Sequence, residues 1–441
     1  MTSDTAEPRA RRGRVLALAI PAIGTLIADP LLGAVDTAVA GRLGSAELGA
    51  MGLAVGIVLA GTWVFNFLVF GTTTSVAHAI GRGDRVAAGR RVAQAAVVAT
   101  VLGVVTGAVL FVAAAPIVRA FGAVDSLVDP AVTYLRVRAV GVPFLVLAFV
   151  GHGAFRGVGD TRTPLLVVVA ANVLNGALDG ILVFGFDMGL GGIAAATVAA
   201  EVAAVVLLAL LIRRAGLPLG GHGLPDMDAV RALVVISRDL FLRTGGLLAG
   251  LLMITAAAAR IDAATAADHQ VLWQVFLLVS FMLDGFAIAG QSLVGTALGR
   301  GDREEARALA RDMARWGAGV GLAAGLILVV LQDAVIGLFT PDPAVAAAAG
   351  SVWLLASLGH AGNGIAFALD GTLMGAADYR YLRTWTLVAS AVGGVLAQVG
   401  VSQGGDLVWL WICVEVLMFL RAGSLLVRIR GTRWLTSDLA G

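Results

Sequence analysis

The apolar positions of the chain gather into twelve runs that are long enough to cross a lipid bilayer. A helix needs about 20 mostly apolar residues to span the hydrocarbon core. Strands of a membrane barrel would be about ten residues long and would alternate in polarity, which these runs do not. The sequence therefore predicts an all-α membrane protein with twelve transmembrane helices. The predicted spans are 15–40, 48–76, 92–116, 131–154, 164–185, 189–212, 231–258, 270–292, 314–338, 346–370, 384–402 and 406–427.

The polar positions between the runs carry most of the arginines, and their distribution predicts an orientation. Most arginines precede the first apolar run or follow an even-numbered run. Cytoplasmic loops of membrane proteins are enriched in basic residues, so we expect both termini in the cytoplasm. The arginines assigned to the opposite side are Arg42, Arg119, Arg136, Arg138 and Arg260.

Composition agrees with a chain whose solvent is mainly lipid. Of the 441 residues, 59% are hydrophobic and 14% are charged, against a usual charged share of about 25%. This excludes a soluble globular protein. The single cysteine, Cys413, excludes a disulfide framework and any cysteine-based metal centre. Membrane lipid is the expected surrounding, and nucleic acid is not an expected partner.

An internal repeat divides the chain into two halves. The segment IGRGDR at 80–85 recurs as LGRGDR at 298–303, an offset of 218 residues. At the same offset, GVGDTR at 157–162 meets GAADYR at 375–380. The offset contains six predicted helices, an even number, so the halves should be six-helix bundles of parallel topology.

The glycine- and proline-rich stretch after the sixth run predicts the joint between the halves. We expect an N-lobe at 1–214, a cytoplasmic linker at 215–230 and a C-lobe at 231–441. Parallel repeats of this kind are typical of transporters that alternate access between two sides of a membrane. An old duplication without a transport role is the alternative.

The chain contains none of the short motifs that mark nucleotide-driven pumps or common hydrolases. Without a phosphate-binding loop or a zinc or serine hydrolase motif, we expect no enzyme activity and no cofactor. Any active transport should then use an ion gradient.

Ionisable side chains inside membrane spans are costly, so each is a candidate functional residue. Depth along the spans groups Asp36, Asp179 and Thr197, and Asn175 shares a helix face with Asp179 because four residues separate them. Two carboxylates, an amide and a hydroxyl suit a proton or a hard cation such as Na+. Pro21 removes a helical hydrogen bond in the same span as Asp36 and predicts a bend there. The further acids in the spans are Asp29, Glu201, Asp284, Asp370 and Glu415.

Several segments resemble the MATE multidrug and toxin extrusion transporters. They are PLLGAVDTAVAGRLG at 30–44, NVLNGALD at 172–179 and GGIAAATVAAE at 191–201. Arg243-Thr244, MLDGFA at 282–287 and LDG at 369–371 are similar to the bacterial DinF-like branch. The resemblance implies a V-shaped fold, a bacterial inner membrane and export of amphipathic, cationic drugs in exchange for H+ or Na+.

The same resemblance implies roles for individual residues. It assigns the coupling cation, a proton or Na+, to Asp36, Asn175, Asp179 and Thr197, and the bending proline to Pro21. Other branches use acids of helices 7 and 10 for Na+, but helix 7 here has no internal acid, which favours the N-lobe. Asp29 departs from the family pattern, and its role stays open.

The cargo is the least determined part of the prediction. Charges within the spans are mostly acidic, which favours lipophilic cationic small molecules, and a monomer is expected. The closest alternative is a flippase for lipid-linked oligosaccharides, which needs a cationic cleft, and a receptor or scaffold without transport ranks last. The residues predicted to line a substrate cleft are Phe65, Phe144, Phe281, Met282, Asp284 and Asp370.

Overall fold

The computed structural model is built of helices throughout the residues it describes, which are 6–219, 227–339 and 343–436. Twelve helical segments in this part of the chain are long and apolar enough to cross a membrane, so the predicted number and class are confirmed. The α-helices are α1 Ala6–Leu43, α2 Ser45–Thr62, α3 Phe67–Gly81, α4 Arg85–Val112, α5 Ala114–Ala120, α6 Asp125–Gly157, α7 Arg162–Asp179, α8 Gly189–Arg214, α9 Met227–Ile261, α10 Ala263–Gly299, α11 Arg303–Val330, α12 Gln332–Phe339, α13 Pro343–Gly375, α14 Tyr379–Ser402 and α15 Leu407–Arg430.

Two of the predicted spans end earlier than the hydropathy indicated. The third span was expected to run to 116, but α4 ends at Val112 and the short helix α5 follows. The ninth was expected to run to 338, but α11 ends at Val330 and α12 follows. The apolar run continues through each turn, so hydropathy does not reveal the break.

The helix boundaries repeat at the offset found in the sequence. Helices α4 and α11 begin at Arg85 and Arg303 and end at Val112 and Val330, in each case 218 residues apart. The same offset relates both ends of α6 and α13. Asp84 and Asp302 each cap the following helix by accepting a hydrogen bond from a backbone N–H three residues later. The repeat is therefore a repeat of structure.

Glycines at equivalent positions allow close helix crossings in both halves. A Cβ atom at Gly107 of α4 would clash with the carbonyl oxygen of Ala139 on α6. Its equivalent, Gly325 of α11, faces the carbonyl oxygen of Ser357 on α13 in the same way. Small residues let helix backbones approach closely in membranes, where packing replaces the hydrophobic effect.

Contacts divide the chain into two compact units. The first unit is Gly24–Ser237, and the second is Arg238–Gly441 together with the chain up to Ile23. Helix α6 is the most extensively contacted helix of the first unit, and α13 has that place in the second. Helix α1 contributes to both units, and Pro21 lies two residues before the division. The predicted lobe boundaries stay a prediction, and residues 220–226 of the predicted linker lie outside the described residues.

Candidate functional site

Four side chains of the first unit meet as the sequence predicts. Asp36 comes from α1, Asn175 and Asp179 from α7, and Thr197 from α8, and all four are buried. The carboxyl groups of Asp36 and Asp179 lie within hydrogen-bonding distance of each other. Two carboxyl groups can form such a bond only if one of them carries a proton, so this geometry suits a shared proton.

Asn175 connects the two acids. Its side-chain amide donates to Oδ1 of Asp36 at 2.8 Å and to Oδ2 of Asp179 at 3.1 Å. The hydroxyl of Thr197 lies near Asp36 and donates to the backbone carbonyl of Ile193 at 2.9 Å. Two buried oxygens of the cluster, Oδ1 of Asn175 and Oδ1 of Asp179, have no hydrogen-bond partner. Carbonyl and carboxylate oxygens are the ligands that hard cations prefer, so the cluster can also accept Na+.

The backbone changes form directly after Asp179. Helix α7 ends at this residue and continues as a π-helical segment over Gly180–Gly185. Such segments are rare and occur frequently at functional sites. Asp179 is therefore the last residue of the regular α-helix, directly before a locally widened turn.

A buried ion pair lies beside the cluster. Arg138 of α6 donates to a carboxylate oxygen of Glu201 on α8 at 2.9 Å. Arg138 also interacts electrostatically with Asp36. Tyr134 interacts electrostatically with both Asp36 and Asp179. Arg138 lies inside the fourth span and is 8% exposed, and its assignment to the side opposite the cytoplasm stays a prediction.

The spacing between Thr197 and Glu201 could have linked Glu201 to the candidate site from the sequence alone. Glu201 follows Thr197 by four residues, so both project from one face of α8. Tyr134 and Arg138 share a face of α6 for the same reason. The pairing of α6 with α8 is a tertiary contact, and spacing alone does not reveal it.

The second unit holds a different charged cluster around Asp370. The carboxylate is 2% exposed and pairs with Arg243 of α9 and with Arg421 of α15, the latter at 3.4 Å. Nε of Arg243 donates to Oδ1 of Asp370 at 3.2 Å. Asp284 of α10 interacts electrostatically with both arginines. Two buried arginines thus surround one buried aspartate in the second unit.

The remaining predicted cleft residues are divided between the units. Phe65 is buried and packs edge-to-face against Phe67, with ring centroids 6.4 Å apart. Phe281 is 38% exposed, and Phe144 and Met282 are half-buried. Their role in binding stays a prediction. The side chain of Asp29 lies outside the described residues.

An internally duplicated membrane protein with twelve candidate membrane spans in its described residues, and with charged clusters inside both halves, has the architecture of a secondary transporter. The MatE family model matches residues 21–181 and 248–399, which is more than half of the chain. The chain belongs to this family of multidrug and toxin efflux transporters. It is therefore a multi-pass membrane protein of a family that binds small-molecule substrates and coupling ions.

Similar proteins come from plants and bacteria. The chain is 31% identical to Protein DETOXIFICATION 44, chloroplastic, of Arabidopsis thaliana, over 95% of this chain and 83% of that protein. It is 30% identical to DNA damage-inducible protein F of Escherichia coli, over 92% of this chain and 90% of that protein. These identities do not separate the DinF-like branch from the plant proteins.

Solved structures share the fold. A crystal structure of MATE in the bent conformation has a TM-score of 0.88 at 20% identity, with 95% of each chain covered. The Vibrio cholerae MATE transporter VcmN in the bent form has a TM-score of 0.89 at 18% identity, with 97% of each chain covered.

Proposed function

We propose that the chain exports amphipathic, cationic small molecules in exchange for H+ or Na+, with the coupling ion bound by Asp36, Asn175, Asp179 and Thr197. The observation that carries this proposal is the pair of buried carboxyl groups connected by one amide. Binding one cation or proton relieves the repulsion between the two acids, so the charge state of the pair can be linked to the transport cycle. The protein is a transporter without enzyme activity of its own.

Of the two ions, the proton fits the observed geometry better. The carboxyl groups of Asp36 and Asp179 are close enough to share a proton directly. A bound Na+ would instead need several oxygens arranged around it, and Oδ1 of Asn175 and Oδ1 of Asp179 supply two. Efflux measured with each gradient imposed alone decides between the ions.

Asp36→Asn tests the proposed coupling site. The substitution keeps the volume and removes the titratable charge, so we expect an inserted, folded protein that no longer exports a lipophilic cation under an imposed ion gradient. Efflux from vesicles is the measurement. Asp129→Asn, at an exposed acid on α6, is the matched control and should transport normally. Near-normal gradient-driven efflux by Asp36→Asn would reject the site.

The alternating-access mechanism, the bacterial inner membrane, the cytoplasmic termini and the DinF-like branch belong to the same proposal. The arginine distribution supports the cytoplasmic termini, and the repeat supports alternating access. We also propose a monomer, surrounded by membrane lipid.

Flipping of lipid-linked oligosaccharides is the second candidate function, and Arg243 and Arg421 favour it. Both guanidinium groups are buried in the second unit around one carboxylate. Arginines bind phosphate groups well, so an anionic headgroup could compete with Asp370 for them. A solved structure of a MOP superfamily transporter from Pyrococcus furiosus, with a TM-score of 0.83 at 20% identity, is described as having a binding pocket of reversed polarity.

A further inference from the structure

Glu415 is a buried acid in the second unit that lacks a counter-charge. It lies on α15 and is 7% exposed, and its Oε2 atom has no hydrogen-bond partner. Its carboxyl group lies against the backbone of Gly359 on α13, so closely that a Cβ atom there would clash with it. An unpaired carboxylate is costly inside a membrane protein. This position therefore favours a carboxyl group that holds a proton.

A small cavity, lined mainly by apolar side chains, lies beside the residue that follows Gly359 on α13. His360, the residue after Gly359, lines a cavity of about 10 Å³ together with Ser357 and Trp411. Nδ1 of His360 and Nε1 of Trp411 are buried and have no hydrogen-bond partner. A cavity of this size with two to four polar groups around it is suited to a single water molecule.

The polar groups are held between the same two helices. Trp411 and Glu415 are four residues apart and share one face of α15. That helix packs against α13, which carries His360. The ring of Phe276 lies 5.8 Å from the ring of His360 and 6.3 Å from that of Trp411, which closes the cavity with apolar surface.

The internal repeat gives Glu415 a second, independent significance. The offset of 218 residues makes it equivalent to Thr197, which belongs to the cluster around Asp36 in the first unit. The positions equivalent to Asp36, Asn175 and Asp179 are Ile254, Gly393 and Ala397. The second unit thus has no acid at the positions equivalent to Asp36 and Asp179. It has a carboxyl group, that of Glu415, at the position equivalent to the hydroxyl of Thr197.

The helices that contact α15 carry several other titratable groups. Helix α10 carries Asp268, His269 and Asp284, and Nε2 of His269 is hydrogen-bonded to the hydroxyl of Thr255 at 3.1 Å. The ionisable side chains of α14 lie within residues 379–383, and those of α11 lie in its first half. Further along α15, Arg421 is paired with Asp370. His360 of α13 is the remaining partner for a proton at Glu415.

We propose that Glu415 forms a second proton-binding site, with His360 and a water molecule in the cavity beside it exchanging the proton, so that each unit of the protein binds a proton of its own. The bonds made and broken are those of simple proton exchange: the carboxyl O–H of Glu415 breaks as the water or the imidazole takes up the proton. The use of this proton in transport rests on the proposed antiport, whereas its binding does not.

Infrared difference spectra of the full-length protein in lipid vesicles, recorded across a pH titration, test the site. A protonated carboxylic acid has a C=O stretch that the carboxylate lacks. We expect a titrating band of this kind that Glu415→Gln removes and that Glu415→Asp shifts. Glu304→Gln, at an exposed acid of α11, is the matched control and should leave the band unchanged. His360→Gln should move the midpoint at which the band titrates.

The outcomes separate this site from the one in the first unit. In Asp36→Asn, the band that Glu415→Gln removes should persist, even though gradient-driven efflux is lost. An unchanged band in Glu415→Gln, or a Glu415 band that does not change with pH, would overturn the proposal. Normal efflux by Asp36→Asn with an intact Glu415 titration would reject the proposed coupling site and leave the second proton site standing.

Discussion

At the scale of single residues, the buried pair of Arg138 and Glu201 limits which substitutions the first unit tolerates. Glu201 lies one helical turn from Thr197, and its side chain is 15% exposed. Each member of the pair compensates the charge of the other in surroundings where an unpaired charge is costly. The pair therefore fixes α6 against α8 beside the candidate ion site.

Glu201→Gln should destabilise the protein by about 3 kcal/mol, because it leaves the guanidinium of Arg138 buried without a counter-charge. Thermal unfolding of the purified protein in detergent measures this loss. The double variant Arg138→Gln with Glu201→Gln removes both charges and should recover most of the stability. A double variant that is no more stable than Glu201→Gln would contradict an ion-pair origin of the effect.

The sequence predicted one charged cluster and missed the partners of the other. Asp36, Asn175, Asp179 and Thr197 could be grouped because span depth and helical spacing constrain them. The partners of Asp370 could not, because Arg243 is 127 residues away and Arg421 is 51 residues away. Contacts over such separations depend on how the helices pack, and hydropathy carries no information about that.

At the scale of helices, the crossing of α11 with α13 depends on residues that have no side chain. Gly321 faces the carbonyl oxygen of His360, and Gly317 faces the backbone of Gly364. Any larger residue at these positions must push two helix backbones apart. The stability of the second unit should therefore be sensitive to the size of the residue at Gly321.

Gly321→Val should cost about 2–3 kcal/mol through overpacking against α13. Gly319→Val is the matched control on the same helix, because nothing lies within 4 Å of a Cβ atom there. Both substitutions replace a glycine of the same helix by valine and change helix propensity by a similar amount, so the difference between their melting temperatures isolates the crossing. Equal stability of the two variants would show that the close approach is not needed.

Pro21→Ala should reduce transport turnover and leave the affinity for the coupling ion nearly unchanged. Alanine restores the helical hydrogen bond that proline removes and straightens α1, whereas Asp36 lies fifteen residues further along. Turnover is measured as efflux from vesicles, and affinity as the dependence of efflux on the ion. Normal turnover would exclude bending at Pro21 from the cycle.

Helix positions were predicted well because each span satisfies its own backbone hydrogen bonds and must be long and apolar. The breaks were not predicted where the apolar run continues through them. Ala113, between α4 and α5, and Leu331, between α11 and α12, are as apolar as their neighbours. A window that averages over many residues cannot detect a single turn of this kind.

At the scale of the whole molecule, charge inside the membrane limits the cargo more than overall composition does. Three buried arginines, Arg138, Arg243 and Arg421, accompany the more numerous acids of the spans. Each of them is paired with an acid. Among the described residues, the buried acids Asp36, Asp179 and Glu415 form no salt bridge, and these favour cations.

Transport of a lipophilic cation should exceed transport of a lipophilic anion of similar size, because unpaired acids attract the cation and paired arginines offer no free charge to the anion. A panel of lipophilic cations, lipophilic anions and lipid-linked sugars in vesicles is the measurement. Arg421→Gln should leave the low transport of anions nearly unchanged, because Arg421 is already paired with Asp370. Selective transport of lipid-linked sugars, with cations ignored, would favour the flippase.

The N-terminal part of α1 has a consequence for how the gene could be divided. Val15, Leu18 and Ala19 are buried against Phe286 and Ala289 as part of the core of the second unit. Two polypeptides made from a gene cut between α8 and α9 would not be independent, because the first would carry a piece of the core of the second. They should assemble when produced together, and the second alone would present an open hydrophobic groove where α1 belongs.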